Sequence, residues 1–299
     1  MRAVQYSSFG GPEVLEIAEV PEPHAEPGEI RIKVAAVGVN PIDWKDRQGV
    51  RGGDLPRGTG REAAGEVDEI GEGVTGVSPG DRVFGHVRGT GGAELAVLHS
   101  WAPIPESLSA VEAASLPVAV ETATRGLDLL GVAAGDTVLI DGAAGGVGTA
   151  AVQLARARGA RVIGTASAPN HDYLRSLGAE PVVYGDGVAD RVRALAPGGA
   201  DAAFDVAGGG QLPALIELAG GADHVITIAD YVGAQANGVR FTGGPGTVQA
   251  FDAIRNVVAE IDAGRFTVGP VRTFALDDVA EAHRVSEAGH VRGKLVLEV

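Results

Sequence analysis

The chain has 299 residues, 45% hydrophobic and 21% charged, with no cysteine and a formal net charge of −15. At about 150 residues per domain, that length predicts two domains, each able to bury a core. Without cysteine there is no disulfide framework, thiolate nucleophile or Cys-ligated metal site, and the acid excess excludes a surface built for nucleic-acid phosphates. The opening MRAVQYSSFGGPEV lacks a signal-peptide core, and the apolar stretches break well before about 18 residues, so a cytoplasmic protein with no membrane span is expected.

The first hundred residues read as β-structure. Ile30-Arg31-Ile32-Lys33-Val34 alternates apolar and charged residues, the period of a half-buried strand. Further strands are expected at Arg2–Tyr6, Val14–Val20, Glu66–Ile70, Arg82–Phe84 and Glu94–Leu98, separated by Gly, Pro and Asp punctuation. Together they suggest a barrel-like β domain. Ser109-Ala110-Val111-Glu112 then has capping-box spacing and opens a helix.

From there strands and helices alternate. Strands are expected at Thr137–Ile140, Arg161–Gly164, Pro181–Val183, Ala202–Asp205 and His224–Ile228. Helices are expected at Gly146–Arg158, Asp172–Leu177, Val188–Leu195 and Gln211–Leu218. This order predicts a parallel sheet with helices on both faces. Val248, Phe251, Ile254, Val258 and Ile261 recur at helical spacing; a strand, a short helix opened by Asp277-Asp278 and a final strand Leu295–Val299 follow.

The sharpest motif is TVLIDGAAGGVGTAAVQLARARGARVIGTAS, from Thr137 to Ser167. A strand runs into a glycine-rich turn, then a helix, then a second strand. Glycines let the backbone approach a pyrophosphate, and the helix N-terminus turns unpaired amides toward the negative charge. In the G-x-G-x-x-G register Ala143 takes the first glycine position, with Gly145 and Gly148 in the others. NAD sites usually close the second strand with an acid that holds the ribose 2′-hydroxyl. Here no acid comes before Asp172, which permits a 2′-phosphate and therefore NADP. Ser167, Asn170 and His171 are candidate donors, with a second reading as caps of the next helix.

GAAGGVGTAAVQLARARGARVIGTAS, with AASLPVAVETATRGL before it, resembles the medium-chain dehydrogenase/reductase superfamily. MRAVQYSSFGGPEVLEI, VAAVGVNPIDWKDRQG, GREAAGEVDEIGEGV, GDRVFG, FDVAGG and GHVRGKLVLEV extend the resemblance over nearly the whole chain. The closest branch is the zinc-independent quinone oxidoreductases, which include zeta-crystallin. The resemblance implies an α/β protein with a GroES-like β-barrel catalytic domain over residues 1–115. A doubly wound (Rossmann) NADP-binding domain would follow over 116–263, with a return to the catalytic domain over 264–299. It also implies a homodimer.

By position, Gly145, Gly146, Val147 and Gly148 would cradle the pyrophosphate of NADPH. Ser167, His171 and Tyr184 would lie near its 2′-phosphate, and Thr122, Ala207, Ile228 and Ala229 near its nicotinamide ribose and ring. Lys294 would stand beside the cofactor in the closing Gly-Lys pair. Zinc enzymes of the superfamily use Cys where this chain has Asn40, and Gly-His-Glu where it has Gly60-Arg61-Glu62. No metal is expected, and the seven histidines read as surface or helix-end residues.

At the reacting centre, the Asn40-Pro41-Ile42-Asp43 segment lines the cleft in this branch. Asn40 would hydrogen-bond the substrate carbonyl or the nicotinamide amide. Asp43 reads either as a substrate contact or as a turn anchor. Trp44 is a further substrate contact. Several relatives carry tyrosines where this chain has Lys45 and Arg51. Lys45 is the candidate to protonate the enolate left by hydride transfer, with a solvated surface lysine as the other reading. Tyr231 and Phe241 lie where a lid would sit and either stack on a flat substrate or belong to the core. The expected function is hydride transfer from NADPH to a quinone or α,β-unsaturated carbonyl. A dedicated enoyl reductase or cyclising enzyme of a biosynthetic pathway, or a weakly catalytic NADPH-binding redox sensor, are the alternatives.

Overall fold

The computed structural model describes residues 1–244 and 246–299. The chain divides into two units, Met1–Val118 with Phe251–Val299, and Ala119–Ala250.

The first unit opens with strands β1 (Arg2–Tyr6), β2 (Glu16–Glu19) and β3 (Ile30–Val39), then helix α1 (Pro41–Arg47). Strands β4 (Arg57–Gly58), β5 (Glu62–Ile70), β6 (Arg82–Arg88) and β7 (Leu95–Pro103) follow, then helix α2 (Ala110–Ala114). Ile30, Ile32 and Val34 point inward from β3 while Lys33 faces water, as the alternation requires. β3 pairs with β5 and also with β7, so the run β3-β5-β6-β7 closes on itself as a barrel. The capping box forms as expected: Ser109 Oγ accepts from Glu112 N–H while the Glu112 carboxylate accepts from Ser109 N–H.

Helix α3 (Pro117–Leu129) carries the chain into the second unit, where β8 (Thr137–Asp141), α4 (Gly146–Ala157), β9 (Arg161–Thr165) and α5 (His171–Ser176) follow. Then come β10 (Glu180–Val182), α6 (Val188–Leu195), β11 (Ala202–Asp205), α7 (Leu212–Leu218), β12 (Val225–Thr227), α8 (Tyr231–Asn237) and β13 (Arg240–Phe241). The sheet order is β10-β9-β8-β11-β12-β13 and every pairing is parallel. The strand order reverses between β8 and β11, the switch point at which doubly wound sheets bind ligands. Leu139, Ile163, Ala203, Leu215 and Val225 form the centre of its core.

The chain returns to the first unit through α9 (Ala253–Asp262), β14 (Val271–Ala275), α10 (Val279–Ala288) and β15 (Lys294–Glu298). β15 lies antiparallel to β3, with Leu295 opposite Val39 and Leu297 opposite Val37.

Several boundaries differ from the sequence expectation. β5 begins at Glu62 because Ala63, Ala64 and Gly65 are buried, so small residues replace the alternating pattern. Val14 closes a short 3-10 turn, Pro12–Val14, and does not open a strand. Helix α9 starts at Ala253 and buries Ala253, Ile254 and Val257, whereas Val248 precedes it and is 88% exposed. That helix belongs to the β-rich unit, where Arg255 Nε donates to Trp101 O at 3.3 Å and the Phe251 ring lies 4.9 Å from His86. His86 and His283 are buried, not at the surface; burial, with the Arg47 charge nearby, pushes His283 down to about 4.

Candidate active site

The glycine-rich turn follows β8. Gly142 sits at φ +86, a conformation open to glycine, and its N–H donates to Thr165 Oγ1 at 3.0 Å. Gly148 is needed for packing, since a Cβ there would lie 2.3 Å from Gly142 O. Gly145 is different. It caps α4 in extended backbone (φ −76, ψ 177) with no capping side chain, and the nearest atom to an added Cβ is Gly142 O at 3.6 Å. The first-turn amides of α4 are therefore left open toward an anion, in a cradle kept free of side chains. Gly145, Gly146 and Val147 are part-exposed there.

Polar side chains cross the carboxyl ends of four strands of this sheet. Thr165 Oγ1 donates to Asp141 Oδ1 at 2.5 Å, Asp141 is the register partner of Asp205, and Thr227 Oγ1 donates to Asp205 Oδ2 at 2.6 Å. Asp205 Oδ1 accepts from Ala207 and Gly208 N–H, and Thr227 Oγ1 accepts from Ala229 N–H at 3.1 Å. The row thus fixes the turns that carry Ala207, Ile228 and Ala229, three residues expected near the nicotinamide. The turns also abut, since a Cβ on Gly142 would lie 2.9 Å from Ala207 Cβ, and one on Gly208 2.8 Å from Ala229 Cβ. Burial, with the Asp205 charge beside it, pushes Asp141 up to about 6 against the Thr165 hydrogen bond. Sequence reasoning missed this row, although TVLID and FDVAGG each display one of its aspartates.

After β9 the chain carries no acid before Asp172, whose carboxylate is exposed and takes Arg175 at 2.6 Å. Ser167 Oγ accepts from Asn170 Nδ2 at 3.1 Å, and the His171 ring is 3.4 Å from Ala166 O. Tyr184 follows the adjacent strand β10 and is 45% exposed; Arg191 holds its loop through the carbonyls of Val183, Tyr184, Gly185 and Asp186. Thr122 is buried on α3 and donates to Glu121 Oε2 at 3.2 Å. Glu121 forms a buried pair with Arg125, which donates to Thr242 Oγ1 at 2.6 Å. The only sequence sign of that network is the i,i+4 Glu-Arg spacing.

In the first unit Asn40 and Lys294, far apart in sequence, meet on Glu62. Lys294 Nζ donates to Glu62 Oε1 at 2.5 Å and to Asn40 Oδ1 at 2.6 Å, while Asn40 Nδ2 donates to Glu62 Oε1 at 2.7 Å. The other Glu62 oxygen accepts from Val118 N–H at 2.7 Å. Glu62 is fully buried, and a Cβ on Gly38 would lie 2.2 Å from its carboxylate, so β3 needs glycine there. Asp43 accepts from Asn40 N–H at 2.7 Å and from Gly60 N–H at 3.4 Å, which gives it the turn-anchoring role. Burial raises it to about 6, against the pull of the Arg61 charge.

Lys45 is part-buried, with its ammonium 5.6 Å from the centre of the Trp44 ring, whose indole Nε1 is buried without a partner among the described residues. In the second unit Tyr231 is 58% exposed at the start of α8 and meets Phe241 on β13 edge-on, ring centres 5.3 Å apart. The expected lid segment is therefore a capped helix and a strand up to Phe241, with Asp230 accepting from Gly233 N–H.

Zinc does not fit the first-unit cluster. Where a zinc site would put thiolate and imidazole, this chain has an amide and the Arg61 guanidinium, and the Lys294 ammonium already occupies the Glu62 carboxylate. Among the described residues no group of three His, Cys, Asp or Glu converges to hold a metal ion. The nicotinamide cofactor does fit the second unit, on the open Gly145 cradle and the uncapped helix behind it.

A closed β-barrel unit and, in the same chain, a parallel sheet with such a cradle mark a dinucleotide-binding protein. Comparisons narrow this class. Residues 26–99 match the alcohol dehydrogenase GroES-like domain family and residues 177–297 the zinc-binding dehydrogenase family. Over 99% of its length the chain is 31% identical to the chloroplastic NADPH-dependent alkenal/one oxidoreductase of Arabidopsis thaliana, of which it spans 79%. Over 96% it is 35% identical to the spectinabilin polyketide synthase system protein NorB of Streptomyces orinoci, of which it spans 14%. The quinone oxidoreductase of Coxiella burnetii superposes with a TM-score of 0.84 at 33% identity, covering 100% of this chain and 99% of that one. The chain belongs to the medium-chain dehydrogenase/reductase superfamily, in its zinc-independent quinone oxidoreductase branch.

Proposed function

We propose that the protein is an NADPH-dependent, zinc-free reductase that delivers hydride to a quinone or to the β-carbon of an α,β-unsaturated carbonyl. The observation that carries this reading is the open Gly145 cradle, in a chain that aligns over 99% of its residues with an alkenal/one oxidoreductase and superposes on a quinone oxidoreductase. When bound, the nicotinamide supplies the hydride. Gly145, Gly146, Val147 and Gly148 hold the pyrophosphate with backbone amides alone. The Asp141–Asp205 row holds the turns of Ala207, Ile228 and Ala229 against the ring and its ribose, with Thr122 nearby. Ser167, His171 and Tyr184 receive the 2′-phosphate, which no carboxylate after β9 repels.

Asn40 keeps one Nδ2 hydrogen beyond its bond to Glu62, and that hydrogen is the donor for the substrate carbonyl. Lys294 and Glu62 fix the orientation of that amide. Hydride addition to an enone leaves an enolate, and its oxygen needs a nearby positive group or proton donor. Lys45 supplies it, held against Trp44. Asp43 fixes the turn that presents both. The protein acts as a homodimer in the cytoplasm.

The test is NADPH and NADH oxidation at 340 nm by chelator-treated protein against 1,4-benzoquinone, 9,10-phenanthrenequinone and a simple enone. Turnover with NADPH and little with NADH is expected. NADPH binding without turnover of any of the three would favour a second reading, supported by the likeness to one stretch, 14%, of the polyketide synthase protein NorB: an enoyl reductase dedicated to one elaborate biosynthetic substrate.

A further inference from the structure

A cavity of about 400 Å³ opens in the first unit, and Tyr6, Asp43, Asp46, Arg57, Thr59 and Arg61 give its mixed lining the polar part. Asp46 accepts from Arg51 at 2.6 and 2.5 Å and also from Arg61. Burial works against its charge, yet those two guanidinium groups hold the Asp46 carboxyl below the ordinary range. Arg57 donates one N–H to Gly52 O at 2.7 Å and, among the described residues, has no carboxylate partner. Two guanidinium groups, Arg57 and Arg61, line the cavity with two carboxylates, Asp43 and Asp46, and Arg51 adds a third positive charge on Asp46 from outside the lining, in a chain whose overall charge is −15. Thr59 adds a buried hydroxyl with no partner among the described residues, and Tyr6 is buried, which pushes its phenol up and keeps it a proton-bearing donor.

We propose that this cavity seats an anionic oxygen group of the substrate, a carboxylate or a phosphate ester, on Arg57 and Arg61, with Tyr6 and Thr59 as further donors. The inference rests on the reductase reading and gives it a substrate class: an enone or quinone that carries a negative arm. A flat neutral quinone would find one aliphatic side chain, Val87, and would leave the Arg57 guanidinium without a carboxylate or other anion. Planar guanidinium forks match carboxylate and phosphate oxygens in geometry as well as charge. The cavity also shares Asp43 with the Asn40–Glu62–Lys294 cluster, since Asp43 lines it and accepts from Asn40 N–H at 2.7 Å.

The test compares trans-3-benzoylacrylate with its methyl ester, which differ only in the charge of one end. The acid is expected to bind about 10- to 100-fold tighter, the range of a charge-assisted pair. Arg57→Gln should bring the acid-to-ester KM ratio close to one, and Arg57→Lys should restore part of the difference. Because a variant can misfold, the wild-type protein is also titrated with inorganic phosphate and with acetate as competitors of the acid. Competition by phosphate assigns the phosphate class and competition by acetate the carboxylate class. An acid-to-ester ratio near one in the wild type, with neither anion competing, overturns the proposal. If calorimetry shows acid-selective binding but NADPH reduces neither compound, the cavity assignment stands and the reductase reading fails.

Discussion

Gly145→Asp separates cofactor binding from folding by moving the two in opposite directions. The residue caps α4 in extended backbone that any L residue adopts, and an added Cβ meets nothing closer than Gly142 O at 3.6 Å. Aspartate is a favoured N-cap and its charge suits the helix N-terminus, so the cofactor-free protein should gain about 0.5–1 kcal/mol. That corresponds to a rise in Tm of roughly 2–4 °C for a unit of this size. The same carboxylate would occupy the cradle and take the amides meant for the pyrophosphate. Two unit charges about 4 Å apart repel by about 4 kcal/mol at an effective dielectric constant of 20, so NADPH affinity should fall at least 100-fold. Thermal unfolding of the cofactor-free protein and fluorescence titration with NADPH measure the two effects. NADPH affinity within threefold of wild type, in a protein of equal or higher Tm, would refute the cradle.

Other perturbations test the rest of the site. Lys294→Met leaves the buried Glu62 carboxylate without its cation and should cost about 3–5 kcal/mol in chemical denaturation, most of it recovered by adding Glu62→Gln. Asp141 titrates near 6 when folded and near 4 when unfolded, so between those values the folded state holds a proton the unfolded state lacks, and stability falls as pH rises. The stability of Asp141→Asn relative to wild type should therefore improve by about 3 kcal/mol from pH 4 to pH 7, and a flat difference would remove the buried-carboxyl account. Lys45→Met should lower kcat for an enone about 100-fold or more and leave NADPH affinity unchanged, as loss of an acid catalyst does. Unchanged turnover would take Lys45 out of the proton transfer.

What the sequence displayed was what local pattern can encode. The strand–glycine–helix run from Thr137 is contiguous, so β8, the turn and α4 were legible with their ends within a residue. The Ser109 capping box was legible for the same reason, since both of its partners lie within one helical turn. By contrast, Glu62 sits in an unpatterned small-residue stretch, and its partners Asn40 and Lys294 come to it only through the pairing of β3 with β5 and with β15. The Thr165–Asp141–Asp205–Thr227 row likewise exists only across strands. The cavity is assembled from β1, α1, β4, the turn between β4 and β5, the end of β6 and the loop after it, so no contiguous stretch of sequence displays it. Helix α9 was placed in the wrong unit because its amphipathic spacing states that it packs, not on what.

The central claim is hydride delivery from a bound nicotinamide to carbon. The measurement that reaches it most directly is turnover of a simple enone with NADPH carrying deuterium at both C4 positions, with the product read by NMR. One deuterium at the β-carbon and a solvent-derived hydrogen at the α-carbon is the predicted result. A reduced product without deuterium at the β-carbon would contradict the account.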